Sequence, residues 1–532
     1  MRPVPGSDYP SGDELRPDRR TRGRPPADLR DHLQTTLTER LLLQAGAIDL
    51  AGAVRARRGG AGARSDWMEI ERTRGISVTS AALQFTYRGH VLNLLDTPGH
   101  KDFSEDTYRV LTATDTAIMV IDAAKGLEPQ TLKLFQVCRT RGTPVITFVN
   151  KLDRPGRDPL ELLDEIEREI GLRPTPVTWP VMDEGAFLGL VDRASGALEP
   201  FGRIGTAAPT AHAPVADWRQ HEAFTPAIRD RLGDELDLLS GVGADHDDEQ
   251  FRGGETTPVY FGAALGDSGV RHLLDSVVDL GCAPGAWETA TGGEVRIDDP
   301  FSGFVFKVQA NTDPRHRDRL AYIRVCSGRF ERGMQVHHER TGRTMALRHA
   351  HQPFGQERLP LEEAFPGDVI GLVNASGLRP GDAISAGEPV RFPPMPRFAP
   401  EHFAVVRSRD SSRYKQFRRG LAALDEEGVV QVLRDPLRGD QEPLLAAVGP
   451  MQFEVALARL EAEFGAPTQL DPPRHMVARE TDQAGSELLR RDGVSVLLRE
   501  SGELVALFTS TYRLESFERH RPEVSLTPLL AG

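Results

Sequence analysis

Two short polar motifs in this sequence each follow directly after an apolar run. The first, DTPGH at residues 96–100, closes the run at 90–95. A carboxylate at the end of a strand, followed by a glycine turn, can hold a hydrated Mg²⁺ ion and offer a backbone N–H group to a terminal phosphate. Taken alone, a D-x-x-G spacing is also typical of a simple turn, so this motif is weak by itself.

The second motif, NKLD at residues 150–153, closes the apolar run at 143–149. The carboxylate of Asp153 could accept both N–H donors of a guanine edge, while the stem of Lys151 lies along the plane of the base. Alone, the pattern N-K-x-D is moderately specific. The two motifs in this order, each after an apolar run, indicate a guanine-nucleotide site far more strongly than either does alone.

The runs that carry these motifs predict the elements that must position them. Residues 90–96, 116–123 and 143–153 are predicted strands that end in polar residues, and helical stretches such as the amphipathic one at 159–170 separate them. Strands that alternate with helices are typical of βαβ units and a parallel sheet. Because ligands of such sheets bind at the carboxyl ends of the strands, both motifs fall where a site is expected.

The pattern weakens at residues 185–255 and changes beyond residue 300. There, apolar residues recur at every second position between glycine-containing turns, as in residues 301–310, which predicts a β-barrel of short strands. A proline-rich stretch at 391–400 marks a boundary. Beyond it, helical stretches at 417–428 and 450–465 alternate with strand-like runs, which predicts a small α/β domain.

The composition bounds what the chain can be. At about 150 residues per domain, 532 residues predict three or four domains. With 65 basic against 78 acidic side chains, the formal net charge is −13, which excludes a generally basic nucleic-acid-coating protein; any contact with RNA or DNA must come from local faces. Cys138, Cys282 and Cys326 lie far apart and are expected to be reduced thiols of a cytosolic protein, because neither a disulfide framework nor a zinc motif is present.

No stretch of the sequence predicts a membrane span or export. The most apolar short stretch, at 116–124, is broken by Asp122 and is far shorter than the roughly 20 residues a span needs. The Arg19-Arg20 pair is not followed by the apolar region of a signal peptide. We therefore predict a cytoplasmic protein. Only six lysines occur, so each is of interest: Lys101, Lys125, Lys133, Lys151, Lys307 and Lys415.

Longer segments around both motifs resemble a known family. They are residues 65–85, 93–115, 120–134, 148–167, 175–181, 303–328, 366–372, 426–433 and 448–464. In colinear order from about residue 35 to near the end of the chain, they resemble the translational GTPases and, among these, the peptide chain release factor 3 family of class II release factors. Elongation factor G and the ribosomal-protection proteins share the GTPase motifs, but they continue into further C-terminal domains and are disfavoured by the segments at 65–69 and 175–181.

The resemblance implies a fold class and an arrangement of domains. The expected fold is α/β: a P-loop-type GTPase domain with a parallel sheet, followed by a β-barrel domain and a small α/β domain. The predicted bounds are a disordered Arg/Pro-rich N-terminus at 1–27, a GTPase-like domain at 28–284, a β-barrel translation-factor domain at 297–392 and a C-terminal α/β domain at 396–532.

The resemblance also implies roles for single residues, with GTP or GDP and Mg²⁺ as cofactors. His100 resembles the residue that orients the attacking water, and Gly99 the sensor of the γ-phosphate. The positions expected to bind GTP are Asp96, Thr97, Pro98, Gly99, His100, Asn150, Lys151, Asp153, Ala263, Ala264 and Leu265. The positions expected at Mg²⁺ are Thr35, Ser77 and Asp96.

The chain departs from the family at its phosphate loop. The family has an apolar strand that runs into a G-x-x-x-x-G-K-[ST] loop, whose amides and lysine hold the phosphates. Counting back from Thr35, the lysine position is Gln34, the preceding glycine position is Leu33 and the first loop position is Asp28. Either the chain is a crippled or pseudo-GTPase, or the reading frame or start upstream of Thr35 is wrong; loss of strand and loop together favours the second explanation.

The function implied is a GTP-dependent factor of translation termination, which promotes dissociation of the codon-reading release factors from the ribosome. Its expected partners are ribosomal RNA and proteins and the class I release factors, with no membrane and no DNA, and the chain is expected to be a monomer. The alternative is a ribosome-binding pseudo-GTPase that does not hydrolyse GTP, because the glycine and lysine of the phosphate loop are missing. Residues 27–35 are the feature that discriminates the two.

Overall fold

The computed structural model describes most of the chain. The described residues are 33–48, 78–202, 210–310, 319–354, 357–373, 375, 377–395, 400–435, 439–471, 477–499 and 502–528. The predicted disorder at 1–27, the phosphate-loop positions before residue 33 and Ser77 lie outside them, as do the side chains of Leu33, Gln34 and Thr35. Among the described helices, none is long and apolar enough to cross a membrane.

The N-terminal domain contains the predicted alternation of strands and helices. Its elements are α1 Leu33–Gln44, β1 Ala81–Tyr87, β2 His90–Asp96, α2 Ser104–Leu111, β3 Ala117–Asp122, α3 Pro129–Arg141, β4 Val145–Asn150, α4 Pro159–Ile170, β5 Arg173–Pro176, β6 Thr178–Asp183, β7 Ala186–Asp192, β8 Leu198–Gly202, β9 Thr210–Ala211, α5 Pro226–Gly241, α6 Asp248–Arg252, β10 Thr256–Phe261 and α7 Val270–Asp279. The weakly patterned region thus contains β7–β9, which form with β6 a four-stranded antiparallel sheet that the sequence did not predict.

A parallel sheet forms the centre of this domain, as predicted. Its strand order is β3-β4-β10-β5, and all three neighbouring pairs are parallel. Every residue of β4 and β10 is buried, which explains their continuous apolar sequence, since parallel strands are covered on both faces. Helix α4 covers one face with Leu162, Leu163 and Ile166; Asp158 caps its start by accepting a hydrogen bond from Leu160 N at 2.8 Å.

The strand at 90–96 differs from the prediction. Arg88 and Gly89, with φ angles of 47° and 78°, turn the chain so that β2 pairs antiparallel with β1, as expected where two consecutive residues adopt positive φ. Among the described strands β2 has no other partner, and β1 pairs on its far side with the barrel strand β18 at Leu83 and Phe354. The prediction that 90–96 joins the parallel sheet is therefore wrong for the described residues.

The barrel domain follows as predicted from the period of two. Its strands are β11 Trp287–Glu288, β12 Glu294–Val295, β13 Ser302–Ala310, β14 Arg319–Ser327, β15 Phe330–Glu331, β16 Gln335–His338, β17 Arg343–Ala346, β18 Ala350–Phe354, β19 Glu357–Pro360, β20 Glu363–Ala364, β21 Val369–Val373 and β22 Ala383–Ser385. The main sheet has the order β17-β16-β22-β13-β14-β21-β18 and continues into β1 and β2. Val305, Ile323 and Ile370 are fully buried in its core.

The C-terminal domain is an eight-stranded sheet with helices. Its elements are β23 His402–Ser408, α8 Tyr414–Glu427, β24 Gln431–Asp435, β25 Gly439–Ala447, α9 Pro450–Phe464, β26 Thr468–Asp471, β27 Val477–Thr481, α10 Gln483–Arg491, β28 Ser495–Leu498, β29 Leu504–Phe508, α11 Thr511–His520 and β30 Thr527–Pro528. Helices α8 and α9 pack closely: a Cβ atom added at Gly420 would lie 2.5 Å from Leu460 Cδ2. The predicted α/β class is confirmed, and both helices lie where the sequence predicted them.

Candidate nucleotide site

One buried side chain joins two of the predicted nucleotide-binding loops. Asn150, at the end of β4, is 3% exposed. Its Oδ1 accepts hydrogen bonds from the backbone N–H of Lys151 at 2.8 Å and of Ala264 at 3.0 Å. The NKLD loop and the loop at 263–265 are therefore held together at the carboxyl edge of the parallel sheet.

These loops lie side by side because β4 and β10 are parallel neighbours. Gly262, just after β10, donates its N–H to Val149 O at 2.8 Å and accepts from Leu152 N at 3.2 Å. A Cβ atom at Gly262 would lie 2.6 Å from both Phe148 Cζ and Ser268 O, so this close approach requires glycine. Beyond it, the predicted positions Ala263 and Ala264 are buried, and Leu265 is 57% exposed, which is consistent with a loop that would contact a ligand through its backbone.

Lys151 is held in place by a carboxylate that the sequence analysis did not single out. Its backbone has a φ of 73°, and its Nζ lies 2.9 Å from Oδ2 of Asp122 at the end of β3. Burial alone would raise the pKa of Asp122, but the hydrogen bonds from Lys151 and from Ala124 N lower it. The anchored lysine stem thus has a fixed course. Asp122 ends an apolar strand, as Asp96 does. This position in the sequence could have identified it as a candidate site residue.

Asp153, the last residue of the NKLD motif, is exposed. Within the part of the chain that the structure describes, its carboxylate forms no hydrogen bond or ion pair. Both oxygens are therefore available to a ligand with two neighbouring N–H donors, the pattern that a guanine edge presents. The described residues thus fit the base of a guanine nucleotide.

Helix α1 contacts the far side of the same loop. Arg40 NH2 donates to Leu265 O at 2.9 Å, and Gln44 Nε2 donates to Asp267 Oδ2 at 2.5 Å. Burial raises the pKa of Asp267, against the opposing effect of Arg40. Helix α1, which begins at the last of the phosphate-loop positions, is therefore joined to the loop at 265–267, a link that sequence spacing could not show because more than 220 residues separate the partners.

The DTPGH loop is the other part of the predicted nucleotide site. Asp96 is buried at the end of β2, Pro98 is buried, Thr97 is half-buried and Gly99 is exposed. His100 is about one-third exposed, and its Nδ1 accepts a hydrogen bond from Asp102 N at 3.2 Å. A neutral imidazole in this arrangement carries its proton on Nε2.

The barrel domain fixes the segment that follows this loop. Lys307, buried in β13, donates from Nζ to Ser80 O at 2.5 Å and lies 3.3 Å from Oδ2 of Asp106 in α2. Burial alone would raise the pKa of Asp106, but the charge of Lys307 and hydrogen bonds from Ser80 lower it. Nearby, Arg324 of β14 binds both carboxylate oxygens of Asp115 at 2.7 Å.

The fit to a whole Mg²⁺-nucleotide is uneven. Asp96 supplies one carboxylate at a strand end, but Ser77 and the side chain of Thr35 lie outside the described residues. Over the described ranges, no three His, Cys, Asp or Glu side chains cluster as a metal site. The sequence at 28–34 has neither glycine nor lysine. The residues present therefore fit the base but not the usual phosphate loop.

The three cysteines are free thiols, as expected. Cys138 and Cys326 are buried, and burial raises the pKa of the Cys138 thiol to about 11. Burial raises the pKa of the Cys326 thiol as well, so these two buried thiols stay protonated at neutral pH and are poor nucleophiles.

Comparison with protein-family models assigns the three parts of the chain separately. Residues 30–281 match the elongation factor Tu GTP binding domain, residues 300–387 match elongation factor G domain 2, and residues 392–518 match the C-terminal domain of class II release factor RF3.

Whole-chain relatives agree. The peptide chain release factor 3 of Synechococcus elongatus is 46% identical over 509 residues, covering 94% of this chain and 91% of the relative. That of Gloeobacter violaceus is 46% identical, covering 92% and 94%, and that of a Synechocystis strain is 47% identical, covering 91% and 89%. A crystal structure of a protein from Thermus thermophilus is similar with a TM-score of 0.67 at 26% identity, over 84% of this chain and 66% of that protein.

Proposed function

We propose that this chain, which belongs to the peptide chain release factor 3 family of translational GTPases, is a GTP-dependent factor of translation termination. In this role it promotes dissociation of codon-reading release factors from the ribosome. The match at 392–518 supports this choice over an elongation factor, because that model describes the C-terminal domain of class II release factor RF3. The proposed partners are the ribosome and class I release factors, with the cytoplasm as the place of action and a monomer as the acting form.

The single observation that carries the proposal is the hydrogen-bond pair of Asn150. It joins the NKLD loop to the loop at 263–265, which creates a base-binding edge before any ligand arrives. In the proposed complex Asp153 accepts the two N–H groups of guanine, Lys151 covers the face of the base and Ala264 offers its backbone. Adenine presents a different donor pattern to Asp153 and is rejected.

The proposed hydrolytic role belongs to the other end of the site. Mg²⁺, when bound, would neutralise phosphate charge, and Asp96 with Thr35 and Ser77 are the residues proposed to hold it. Thr97, Pro98 and Gly99 would place a backbone N–H beside the terminal phosphate. His100, with one-third of its side chain exposed, would orient a water for attack.

A second candidate function has a specific observation in its favour. Gln34 and Leu33 replace the lysine and glycine of the phosphate loop. A charge-assisted hydrogen bond to phosphate contributes roughly 1.5–3 kcal/mol, so losing the lysine alone weakens phosphate binding by about 10- to 100-fold. A protein that binds guanine nucleotide weakly and occupies the ribosome without hydrolysis would fit that sequence.

The first test is Mg²⁺-dependent binding of a fluorescent guanine nucleotide to the full chain, with ATP analogues as competitors. Micromolar, guanine-specific binding supports the proposed site, and hydrolysis measured with ribosomes then separates the GTPase from the non-hydrolysing candidate. A millimolar dissociation constant corresponds to a binding free energy of only roughly 4 kcal/mol. No binding at about millimolar nucleotide would therefore exclude a working GTPase.

A matched pair of variants tests the assigned base contact. Asp153→Asn replaces one acceptor by an amide donor, so the variant should prefer xanthosine nucleotides, whose edge has one donor and one acceptor. Asp158→Asn makes the same chemical change at the cap of α4, where asparagine caps as well as aspartate. It should keep guanine specificity, and a change in specificity there would show that the Asp153 result is not local.

A further inference from the structure

The segment after the His100 loop contacts the C-terminal domain at two helix ends. Asp102, 2% exposed, lies at the N-terminus of α9, where its Oδ2 accepts from Met451 N at 2.8 Å. Arg109, also buried, lies at the C-terminus of α8, where NH1 donates to Glu427 O at 3.0 Å. An anionic side chain thus lies at the N-terminus of one helix, and a cationic side chain lies at the C-terminus of another. This is the arrangement that helix dipoles favour.

Helix α9 has no side-chain acceptor of its own at the N-cap position, because that residue is Gly449. Gln452 covers the amides on one side: its Oε1 accepts from Val448 N at 2.7 Å and from Gly449 N at 3.1 Å. The acceptor that a Ser or Asp N-cap would provide for the first turn comes instead from Asp102, 349 residues earlier in the chain.

Glycine shapes both contact points. A Cβ atom at Gly449 would lie 2.0 Å from Asp102 Cγ, and one at Gly428 would lie 2.1 Å from Arg109 NH1. Gly428 has a φ of 73°, which favours glycine in any case. Gly449 has an ordinary extended backbone, with a φ of −143°, so the space taken by Asp102 is what excludes a side chain there.

A buried ion-pair network supports the second cap. The carboxylate of Glu427 binds Arg459 of α9 at 2.8 Å, and Arg459 also binds Glu463 at 2.6 Å. Burial alone would lower the pKa of Arg459, but these two carboxylates raise it. On the other side, Arg109 forms a close ion pair with Glu105. The carbonyl that Arg109 caps is therefore fixed relative to α9 as well.

The first cap is also linked to the imidazole. Asp102 N donates to His100 Nδ1 at 3.2 Å, and Asp102 Oδ1 lies 3.6 Å from the same nitrogen. The next residue, Phe103, packs with Val78 against Val455 of α9 in a small apolar cluster. The ring is thus held by a residue that is itself fixed on the C-terminal domain.

We propose that Asp102 and Arg109 are positioning residues that cap α9 and α8 across the domain boundary. Through these caps the orientation of the His100 side chain is coupled to the position of the C-terminal domain. Movement of that domain uncaps both helices and frees the imidazole, and reorganisation of residues 97–100 unseats the domain. The inference rests on the proposed function only in the role given to His100, because the two caps and the close approaches at Gly449 and Gly428 are contacts within the chain itself.

A matched pair of glycine variants at the two ends of α9 tests the caps. The added Cβ atom of Gly449→Ala would clash with Asp102, although the backbone there is unstrained. The added Cβ atom of Gly465→Ala would contact nothing within 4 Å, but that residue must adopt a φ of 61°. In the full chain, Gly449→Ala should raise hydrogen exchange of the Met451 amide and of residues 101–111 by about fivefold, the cost of one lost cap. Gly465→Ala should raise exchange only near residue 465. Equal protection of 101–111 in both variants would overturn the proposal.

A spectroscopic readout separates positioning from mere structural support. The Cε1–H resonance of His100, assigned by its loss in His100→Gln, is measured in the nucleotide-free full chain. It should shift in Asp102→Ala and in Gly449→Ala, return toward the native position in Asp102→Asn, which keeps an acceptor for Met451, and stay unchanged in Gly465→Ala. A lower melting temperature without any shift would refute the positioning role. Because no nucleotide is present, the result does not depend on whether the chain binds or hydrolyses GTP.

Discussion

The two ends of the proposed nucleotide site are built in different ways. At the base end, β4 and β10 are neighbours in one sheet, and the single side chain of Asn150 joins their loops. At the proposed phosphate-sensing end, residues 97–100 follow β2, whose hairpin pairs with the barrel, and the segment after them contacts the C-terminal domain through Asp102 and Arg109. The first end is formed within one sheet, whereas the segments around the second are contacted by both the barrel domain and the C-terminal domain.

This difference would let one site combine constant recognition of the base with contacts that change. Two loops joined by a buried amide within one sheet do not rely on contacts with other domains. A loop held by side chains of other domains responds to them, and contacts that link two arrangements of a protein have to be of that second kind. Substitutions at one end or the other, and acid, which acts on a carboxylate at each end, therefore test this difference.

The largest effect is expected from Lys307→Met at the domain junction. The variant leaves the carboxylate of Asp106 without its buried cation, and breaking a buried ion pair costs about 3–5 kcal/mol of unfolding free energy. Urea unfolding measures the loss. The double variant with Asp106→Asn should recover much of it, since both charges are then gone; a double variant as unstable as the single one would mean that Lys307 acts by packing.

Asn150→Ala breaks the base end instead. It leaves the amides of Lys151 and Ala264 without their buried acceptor, which costs about 1–3 kcal/mol, and guanine-nucleotide affinity should fall at least about tenfold for the same reason. Titration with a fluorescent nucleotide measures the affinity. Asn93→Ala is the matched control, because Asn93 of β2 binds Asp368 of the barrel domain at 3.2 Å and touches neither base-binding loop; equal losses of affinity in both variants would contradict the comparison.

Lowering the pH should reduce the free energy of unfolding through carboxylates at both ends of the site. The loss for each carboxylate should be smaller than the loss caused by Asn150→Ala. Asp106 and Asp122 have pKa values lowered by their lysine partners despite burial. A lowered native pKa adds stability above the unfolded value of about 3.9, and that stability is lost as the pH falls through the native pKa. Urea unfolding should therefore change little from pH 7 to 5 at these groups and fall below about pH 4. The Lys307→Met, Asp106→Asn double variant should show a shallower fall, and an unchanged slope would exclude Asp106 as a source.

The smallest effect is expected from Leu265→Ala. The side chain is 57% exposed, and its residue contributes to the base-binding loop through the backbone, whose carbonyl accepts from Arg40. The free energy of unfolding should change by less than about 0.5 kcal/mol, and guanine-nucleotide affinity should stay within about twofold, measured in the same titration. A larger loss of affinity would mean that the leucine side chain itself contacts the ligand.

The strand and the helix around the NKLD motif were predicted well because their determinants are local. The apolar run and the NKLD letters place Asn150 and Lys151 at the end of a buried strand, and the structure confirms that strand at Val145–Asn150. The amphipathic stretch at 159–170 is likewise confirmed residue for residue. Periodicity and strand-end chemistry operate within a few residues, so a pattern is enough to find them.

The junction could not be predicted in the same way. Lys307 reaches Asp106 across 201 positions, and Asp102 reaches Met451 across 349. No periodicity records such contacts. The scarcity of lysine was the one available signal: two of the six, Lys151 and Lys307, hold buried or half-buried aspartates at the two ends of the site. The misassigned strand at 90–96 has a related cause, because its partner was set by a turn and by the barrel, not by its own apolar pattern.

The borrowed cap of α9 has a consequence for how the chain is made. During synthesis Asp102 leaves the ribosome 349 residues before Met451, and domains generally fold in that order, N-terminal first. The last domain therefore emerges beside a finished surface that already carries the acceptor its helix needs. The C-terminal domain therefore completes its folding against a part of the molecule that is synthesised first. The Asp102 carboxylate that caps helix α9 then remains next to the loop proposed to sense the phosphate.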